Sequence, residues 1–285
     1  MAVNVSPTLR RRQLGRELRA AREAKKITRE RAAEELSAHL TTVYRYENGG
    51  VSLKALELKA LLDLFDITEP GERARLEALR AEGKRRGWWS GYRSALRTSY
   101  QTFVGLEDSA VARRDFASIV LPGSFQTEEY ARAVMATAIP QLDPGVIDSR
   151  VQVRLQRQEL ITRDVEPLRI HVVLDEAAVQ RRVGGDGVWA RQLDHLLELE
   201  QLRNVTIQVL PFSVGAFAEA LGAFIVLDFA EGPPIAYAEL TAGDLYAEGA
   251  DAERFIQHFD ALKTAALPPP LSVNLIRKLR VEAVR

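Results

Sequence analysis

Residues 28–49 read Thr28-Arg29-Glu30-Arg31-Ala32-Ala33-Glu34-Glu35-Leu36-Ser37-Ala38-His39-Leu40-Thr41-Thr42-Val43-Tyr44-Arg45-Tyr46-Glu47-Asn48-Gly49. The spacing of the apolar residues in this stretch decides the fold of the first part of the chain. Thr28 follows a break at Ile27 and is placed to cap a helix, its hydroxyl taking up an N–H that the first turn leaves unpaired. Arg31 stands where a capping box would carry Glu or Gln, so the box is incomplete. Ala32, Ala33 and Leu36 then form one inner face. Ser37-Ala38-His39 makes a tight turn. Leu40, Val43 and Tyr46 recur at three-residue steps over a second short helix, and Asn48-Gly49-Gly50 stops it, as Asn and Gly do at helix C-termini. Ala33 is small where the two helices cross, and Leu36, Val43 and Tyr46 lock them together.

With those residues turned inward, Thr41, Thr42, Tyr44 and Arg45 are left pointing out. A helix of this length fits a major groove ~12 Å wide, where base edges carry a readable donor and acceptor pattern. Arg45 can bridge a guanine edge or clamp a phosphate, and the threonine methyls can meet a thymine methyl. His39 and Thr41, at the helix start, are placed for phosphate contacts. Lys25, Lys26, Arg29 and the arginines of the first helix supply the sequence-independent attraction. The partner implied is double-stranded DNA. The stretch resembles a helix-turn-helix of the phage-repressor-like (XRE) type. That family usually has Gly where this chain has Ser37, so the turn is expected to form without a left-handed residue, and Leu40 stands where a polar side chain is common.

On either side, the spacing extends the bundle. Leu14, Leu18, Ala21 and Arg22 follow helical spacing, with Thr8 as the expected cap. Ser52 is the expected cap of a fourth helix that fills the core with Leu53, Leu56, Leu61, Leu62, Leu64 and Phe65. Pro70-Gly71-Glu72 starts a further helical run that ends near Lys84-Arg85-Arg86-Gly87. The reading is therefore a helix-turn-helix domain over 1–69, a helical linker over 70–87 and a larger domain over 88–285. Charge follows the same division. Residues 1–60 hold 13 Lys+Arg against 7 Asp+Glu, a net +6, while the whole chain, with 39 of each, is neutral. A basic head on an acidic body is the asymmetry expected when one domain meets a polyanion.

Beyond Gly87 the texture changes. Residues 92–165 read as mainly helical. Strands are expected at 168–174, 205–210, 223–229, 235–240 and 245–248, with helices from Asp175 and over 188–203 between the first two and a last helix over 250–266 that three prolines at 268–270 close. The short gaps between the later strands suggest a mainly antiparallel sheet, so the fold class expected is α+β. Trp88 and Trp89 can wall an aromatic pocket or dock a helix. Arg132, Arg154, Arg157 and Arg163, with Gln126 and Gln158, are candidates for a polar cavity that receives an anion, or else form a solvated helix face. Asp175-Glu176 reads as a helix start, where acids suit the dipole.

Several blocks carry a second resemblance, among them Val120-Leu121-Pro122-Gly123-Ser124-Phe125-Gln126-Thr127-Glu128-Glu129-Tyr130, Arg154-Leu155-Gln156-Arg157-Gln158 and Asn204-Val205-Thr206-Ile207-Gln208-Val209-Leu210-Pro211-Phe212. In order and content they are similar to the C-terminal domain of uncharacterised function found in actinobacterial regulators of the WhiJ type. This chain departs from them at Gly215-Ala216-Phe217, where a His is expected in place of Phe217, and at Ala218-Glu219-Ala220. The resemblance implies a transcription factor, expected as a homodimer, whose second domain senses a small-molecule effector or a small partner protein encoded nearby. The alternative it implies is an antitoxin-like interaction module whose DNA binding serves only autoregulation.

Composition narrows the rest. There is no cysteine, which excludes disulfides, thiolate metal sites and cysteine nucleophiles. The four histidines are scattered, and no metal site or cofactor is expected. No apolar run approaches the ~18–20 residues that span a bilayer, and the first residues have no signal-peptide pattern. The expectation is a non-enzymatic, cytoplasmic, nucleoid-associated protein with no membrane contact.

Overall fold

The computed structural model describes residues 5–216, 222–240 and 243–283. The departure expected at Phe217 to Ala220 lies outside them. The chain divides into two compact units. One runs to Gly91 and takes in Gln101–Ser109. The other holds Tyr92–Tyr100 and everything from Ala110 onward.

The first unit contains α1 (Pro7–Ala24), α2 (Arg29–Glu35), α3 (Leu40–Glu47), α4 (Ala55–Leu64) and α5 (Pro70–Gly83). Their core is Leu14, Leu18, Ala32, Ala33, Val43, Tyr46, Leu53, Leu58, Leu61, Leu62, Phe65, Leu76 and Leu79. The run read as a linker is α5, and it packs along α1 with Leu76 and Leu79 in that core. Two caps differ from expectation. Ser6, not Thr8, caps α1. The Glu57 carboxylate accepts from the Lys54 backbone N–H at the start of α4, while Ser52 donates to the carbonyl of Gly83.

The helix stops follow one pattern. After α1, α2, α3 and α4, a residue with positive φ turns the chain: Lys26 (54°), Ser37 (47°), Gly49 (65°) and Asp66 (58°). Each stop closes by paired backbone bonds, such as Ser37 N–H to Glu34 O and Ala38 N–H to Ala33 O. These bonds satisfy carbonyls that a helix end leaves orphaned. The turn between α2 and α3 therefore does use a left-handed residue, and a serine supplies it. Gly49 is required twice over, because a Cβ there would lie 2.6 Å from the backbone nitrogen of Arg12.

The second unit is built on a six-stranded sheet in the order β3-β2-β1-β4-β5-β6. The strands are β1 (Ala110–Ala117), β2 (Arg169–Asp175), β3 (Val205–Leu210), β4 (Phe224–Phe229), β5 (Ile235–Ala238) and β6 (Leu245–Ala247). The sheet is mixed, which corrects the expectation of a mainly antiparallel one. β1, β2 and β3 are parallel, because α7 (Glu128–Ala136) and α8 (Pro144–Thr162) lie between the first two, and α9 (Glu176–Gln180) and α10 (Asp186–Glu200) between the next. Crossovers of that length return a strand in the same direction. The short connections after β4 give the antiparallel half.

β1 is the strand at the junction, and it lies inside the stretch read as helical. α6 (Thr98–Glu107) precedes it. The three prolines at 268–270 do not close the chain's last helix. They open another, α12 (Pro269–Glu282), with Pro269 in its first turn, a position where the missing N–H costs nothing.

One face of the sheet carries Phe116, Val173, Phe224, Val226 and Ala236 against α11 (Ala250–Ala265), which contributes Ala252, Phe259 and Leu262. Strand alternation puts Arg113 and Asp115 on the opposite face. Among the described residues no helix is long and apolar enough to cross a membrane.

Candidate functional site

The geometry of α3 follows from what holds it. Val43 and Tyr46 are buried in the bundle core, and the Tyr46 hydroxyl donates to Glu57 at 2.9 Å. Burial and the Glu57 carboxylate push this phenol up to about 12. Glu47 is 6% exposed, and Arg22 of α1 and Arg29 of α2 both clasp it, at 2.5 and 2.7 Å. The Arg22 guanidinium also donates to the carbonyl of Ile27 at 2.9 Å. One buried carboxylate thus ties three helices together, and the charge-assisted bonds fix the rotation of α3 about its own axis. Gly15 permits the close crossing of α1, since a Cβ there would sit 2.4 Å from the carbonyl oxygen of Tyr46.

What remains outside is a continuous face. His39, Leu40, Thr41, Tyr44 and Arg45 are exposed and Thr42 is half-buried. Tyr44 is 55% exposed. Arg45 makes no ion pair among the described residues. The helix has eight residues, which makes it about 12 Å long.

The remaining expected DNA-contacting residues divide into free and engaged. Lys26 is exposed. Lys25 lies 2.8 Å from Asp66, with both groups largely in solvent. Arg29 is held by Glu47 and stacks over the Tyr44 ring at 5.7 Å, so its charge supports the face from behind. The arginines at the start of α1 are also spent on structure. Arg11 donates to the carbonyls of Gly49 and Gly83, Arg12 to that of Asn48, and Arg10 pairs with Glu82. Sequence spacing did not identify Glu47 as the anchor, because a buried acid at a helix end looks like any polar surface residue until both of its arginines are located.

The expected effector residues do not gather in one place. Trp88 and Trp89 belong to the first unit. The Trp88 indole donates to Asp108 at 3.0 Å, and the Trp89 ring fills the space left by Gly87 and Gly105. Arg132 is a surface residue of α7 paired with Glu128 and Asp148, beside an open hollow of about 450 Å³. Asp175 caps α9 by accepting from the Ala177 N–H, and Glu176 accepts from the Phe212 N–H.

Arg154, Arg157 and Gln126 do come together. Both arginines lie on α8, and a Cβ on Gly123 would meet Arg157 Nη1 at 3.1 Å and Arg154 Nε at 3.4 Å. Arg157 is 3% exposed, donates to the Tyr100 hydroxyl at 2.6 Å and stands over its ring. Gln158 donates to the backbone carbonyl of Gln126 at 2.6 Å and pins the 123–126 turn to α8. Burial pushes the Arg154 guanidinium below the usual arginine range, and the charge of Arg157 adds to that push. Below this turn Arg113 and Asp115 form a buried pair at 2.9 Å, each 1% exposed, and Arg113 stands over the Phe125 ring at 5.8 Å. Among the described residues no three His, Asp or Glu side chains are grouped to hold a metal ion.

Comparison with known proteins matches the same two parts. The helix-turn-helix domain family matches residues 13–76, the segment that carries α2, the Ser37 turn and α3. No curated protein matches the chain, and no solved structure does. A domain of unknown function, DUF5753, matches residues 100–278, the greater part of the chain. The protein therefore belongs to the DUF5753 family and carries a DNA-binding helix-turn-helix domain ahead of it.

Proposed function

We propose that the protein is a sequence-specific transcriptional regulator that acts by binding rather than catalysis. Its second unit dimerises and senses a small-molecule effector or a small partner protein. The observation that carries the DNA reading is the face of Thr41, Tyr44 and Arg45 on a helix whose rotation is fixed by Glu47. A rigid donor set of this kind can discriminate base edges, because side chains held in place lose little freedom on docking. In a dimer the two recognition helices would lie ~34 Å apart on a roughly palindromic site. An effector would act by favouring one arrangement of the heads over another.

The test is capture of fragmented genomic DNA by the full-length protein and by Arg45→Ala, at low and moderate salt, followed by sequencing. Enrichment of a short palindrome by the wild type, with affinity falling steeply as salt rises and lost in the variant, is the expected result. Recovery of no sequence by either protein would overturn the reading. Co-purification of a small protein that releases DNA would favour the antitoxin-like alternative.

A further inference from the structure

Positive charge gathers along one side of α8, where Arg157 is buried and Arg150 and Arg154 are half-buried. Arg150, Arg154 and Arg157 follow one face of α8 at helical spacing. Arg150 donates to the carbonyl of Ala95 at 2.9 Å, and Arg154 donates to the carbonyl of Arg150 at 3.4 Å. Neither of these two meets a carboxylate among the described residues. The carboxylate whose charge acts on Arg154 is that of Glu239, and Arg97 holds it at 2.5 Å.

The turn and α8 also hold polar atoms without partners. Arg154 Nε, Ser124 Oγ and Gln126 Oε1 are all shielded from solvent and have no hydrogen-bond partner. Ser124 and Gln126 are 0% and 2% exposed. Gln126 spends its amide nitrogen on the carbonyl of Leu121 at 2.8 Å, so its side chain is fixed and not free to turn toward water. Two guanidinium groups converge on Gly123, where a Cβ would meet both of them. The turn follows the carboxyl end of β1, the strand where the parallel half of the sheet meets the antiparallel half. Carboxyl ends of strands at such switch points are where open α/β sheets take ligands.

An enclosed polar atom with no partner is expensive, and a second like charge a few ångströms away adds to the cost. Such an arrangement is maintained where an anion restores the balance. We propose that Arg154 and Arg157, with the Gly123–Gln126 turn, bind a small oxyanion, the carboxylate or phosphate group of an effector. Arg157, already fixed on Tyr100, orients the group. Arg154 supplies the donor that is otherwise unused, and Ser124 offers a hydroxyl. The proposal rests on the reading of this unit as a sensor and names the chemistry it would sense.

The test uses the full chain without DNA. Thermal unfolding and isothermal titration are followed with inorganic phosphate and with acetate, against chloride at equal ionic strength. At saturation phosphate, acetate or both should raise Tm by about 4 °C or more. Arg154→Gln should abolish that rise while unfolding at a Tm no lower than the wild type in chloride, because it removes a charge that has no partner. Gly123→Ala should weaken the response, and Arg132→Gln, a surface pair on α7, should leave it unchanged. The proposal is overturned if neither anion exceeds chloride, or if Arg154→Gln responds as the wild type does. A response that survives Arg154→Gln and vanishes in Arg45→Ala would put the anion on the head and overturn it too. DNA capture is read separately, so loss of the anion site leaves the regulator reading standing, and loss of DNA binding leaves the anion site standing.

Discussion

Both units pair a buried carboxylate with arginine, but they leave their uncommitted polar groups in different places. In the helix-turn-helix unit the interior carboxylate, Glu47, is paired by Arg22 and Arg29, and the uncommitted Arg45 faces solvent. In the sheet unit the uncommitted polar atoms, on Ser124, Gln126 and Arg154, are inside. A closed interior makes a rigid platform, and free charge on its surface suits a large, exposed polyanion. An interior left partly unsatisfied is suited to a ligand small enough to enter. On the function and the anion site proposed above, the difference separates a unit that presents a surface from one that receives a group.

The largest expected effect breaks the first half of that comparison. Glu47→Ala leaves buried Arg22 with only the longer, solvent-exposed pair to Glu23 and should cost about 3 kcal/mol, read as a fall in the urea midpoint with the slope unchanged. If the loss is under about 1 kcal/mol, the clasp is not what holds α3. Gly15→Ala drives a Cβ into the carbonyls of Tyr46 and Glu47 and should cost about 1–3 kcal/mol by the same measurement.

Arg45→Ala sharpens the contrast. It should leave Tm unchanged and weaken binding to the captured operator about 10- to 100-fold, the range of one bidentate base contact. An equal loss on all sequences would make Arg45 a phosphate contact instead.

Ser37→Gly should stabilise the protein by about 0.5–1 kcal/mol, since glycine takes the left-handed turn without the Cβ clash that serine carries. A loss of stability would mean that the serine side chain contributes more than its strain costs.

The smallest effect is a pH dependence in the sheet unit. Burial lowers the pKa of both His171 and His195 from the ordinary 6.5. His171 lies 2.6 Å from Gln208 and edge-on to Phe259. Because the folded values lie below the unfolded ones, the stability they contribute is present above pH 6.5 and is lost as pH falls from there through the lowered folded values. Thermal unfolding between pH 8 and 5 should show that decline, and His171→Gln should flatten part of it.

Much of the first unit was legible before the fold was known. Thr28 as a cap, the Leu40–Glu47 helix and the Asn48-Gly49 stop all depend on neighbours within one turn, and the structure has them where spacing put them. Ser37 was legible as a turn but not as a left-handed one, because its φ is set by closure of α2 onto α3. Arg29 and the first arginines of α1 were read as DNA contacts on charge alone, and the fold commits them to Glu47 and to the carbonyls at the end of α3. In the second unit, all five expected strands end within a residue or two of their observed limits, while the sixth, β1, was missed. Ala110-Val111-Ala112-Arg113-Arg114-Asp115-Phe116-Ala117 breaks the alternation of a half-buried strand with three charges. Only the pairing of Arg113 with Asp115 under the 123–126 turn makes those charges compatible with the middle of a sheet.

The sequence by itself determined the helix-turn-helix and the outward placing of Thr41, Tyr44 and Arg45, whereas Arg154, Arg157 and Gln126 were legible only within a wider set that included Arg132, with a solvated helix face as the other reading. Caps, periodicity and residue type are local, and they act over a few residues. Tertiary structure alone decided which arginines are free and which are spent, that the sheet is half parallel, and that the polar group is buried instead of solvated. Each of those depends on what a distant segment places opposite a side chain, and a charge in water and the same charge in an interior are written with the same residue.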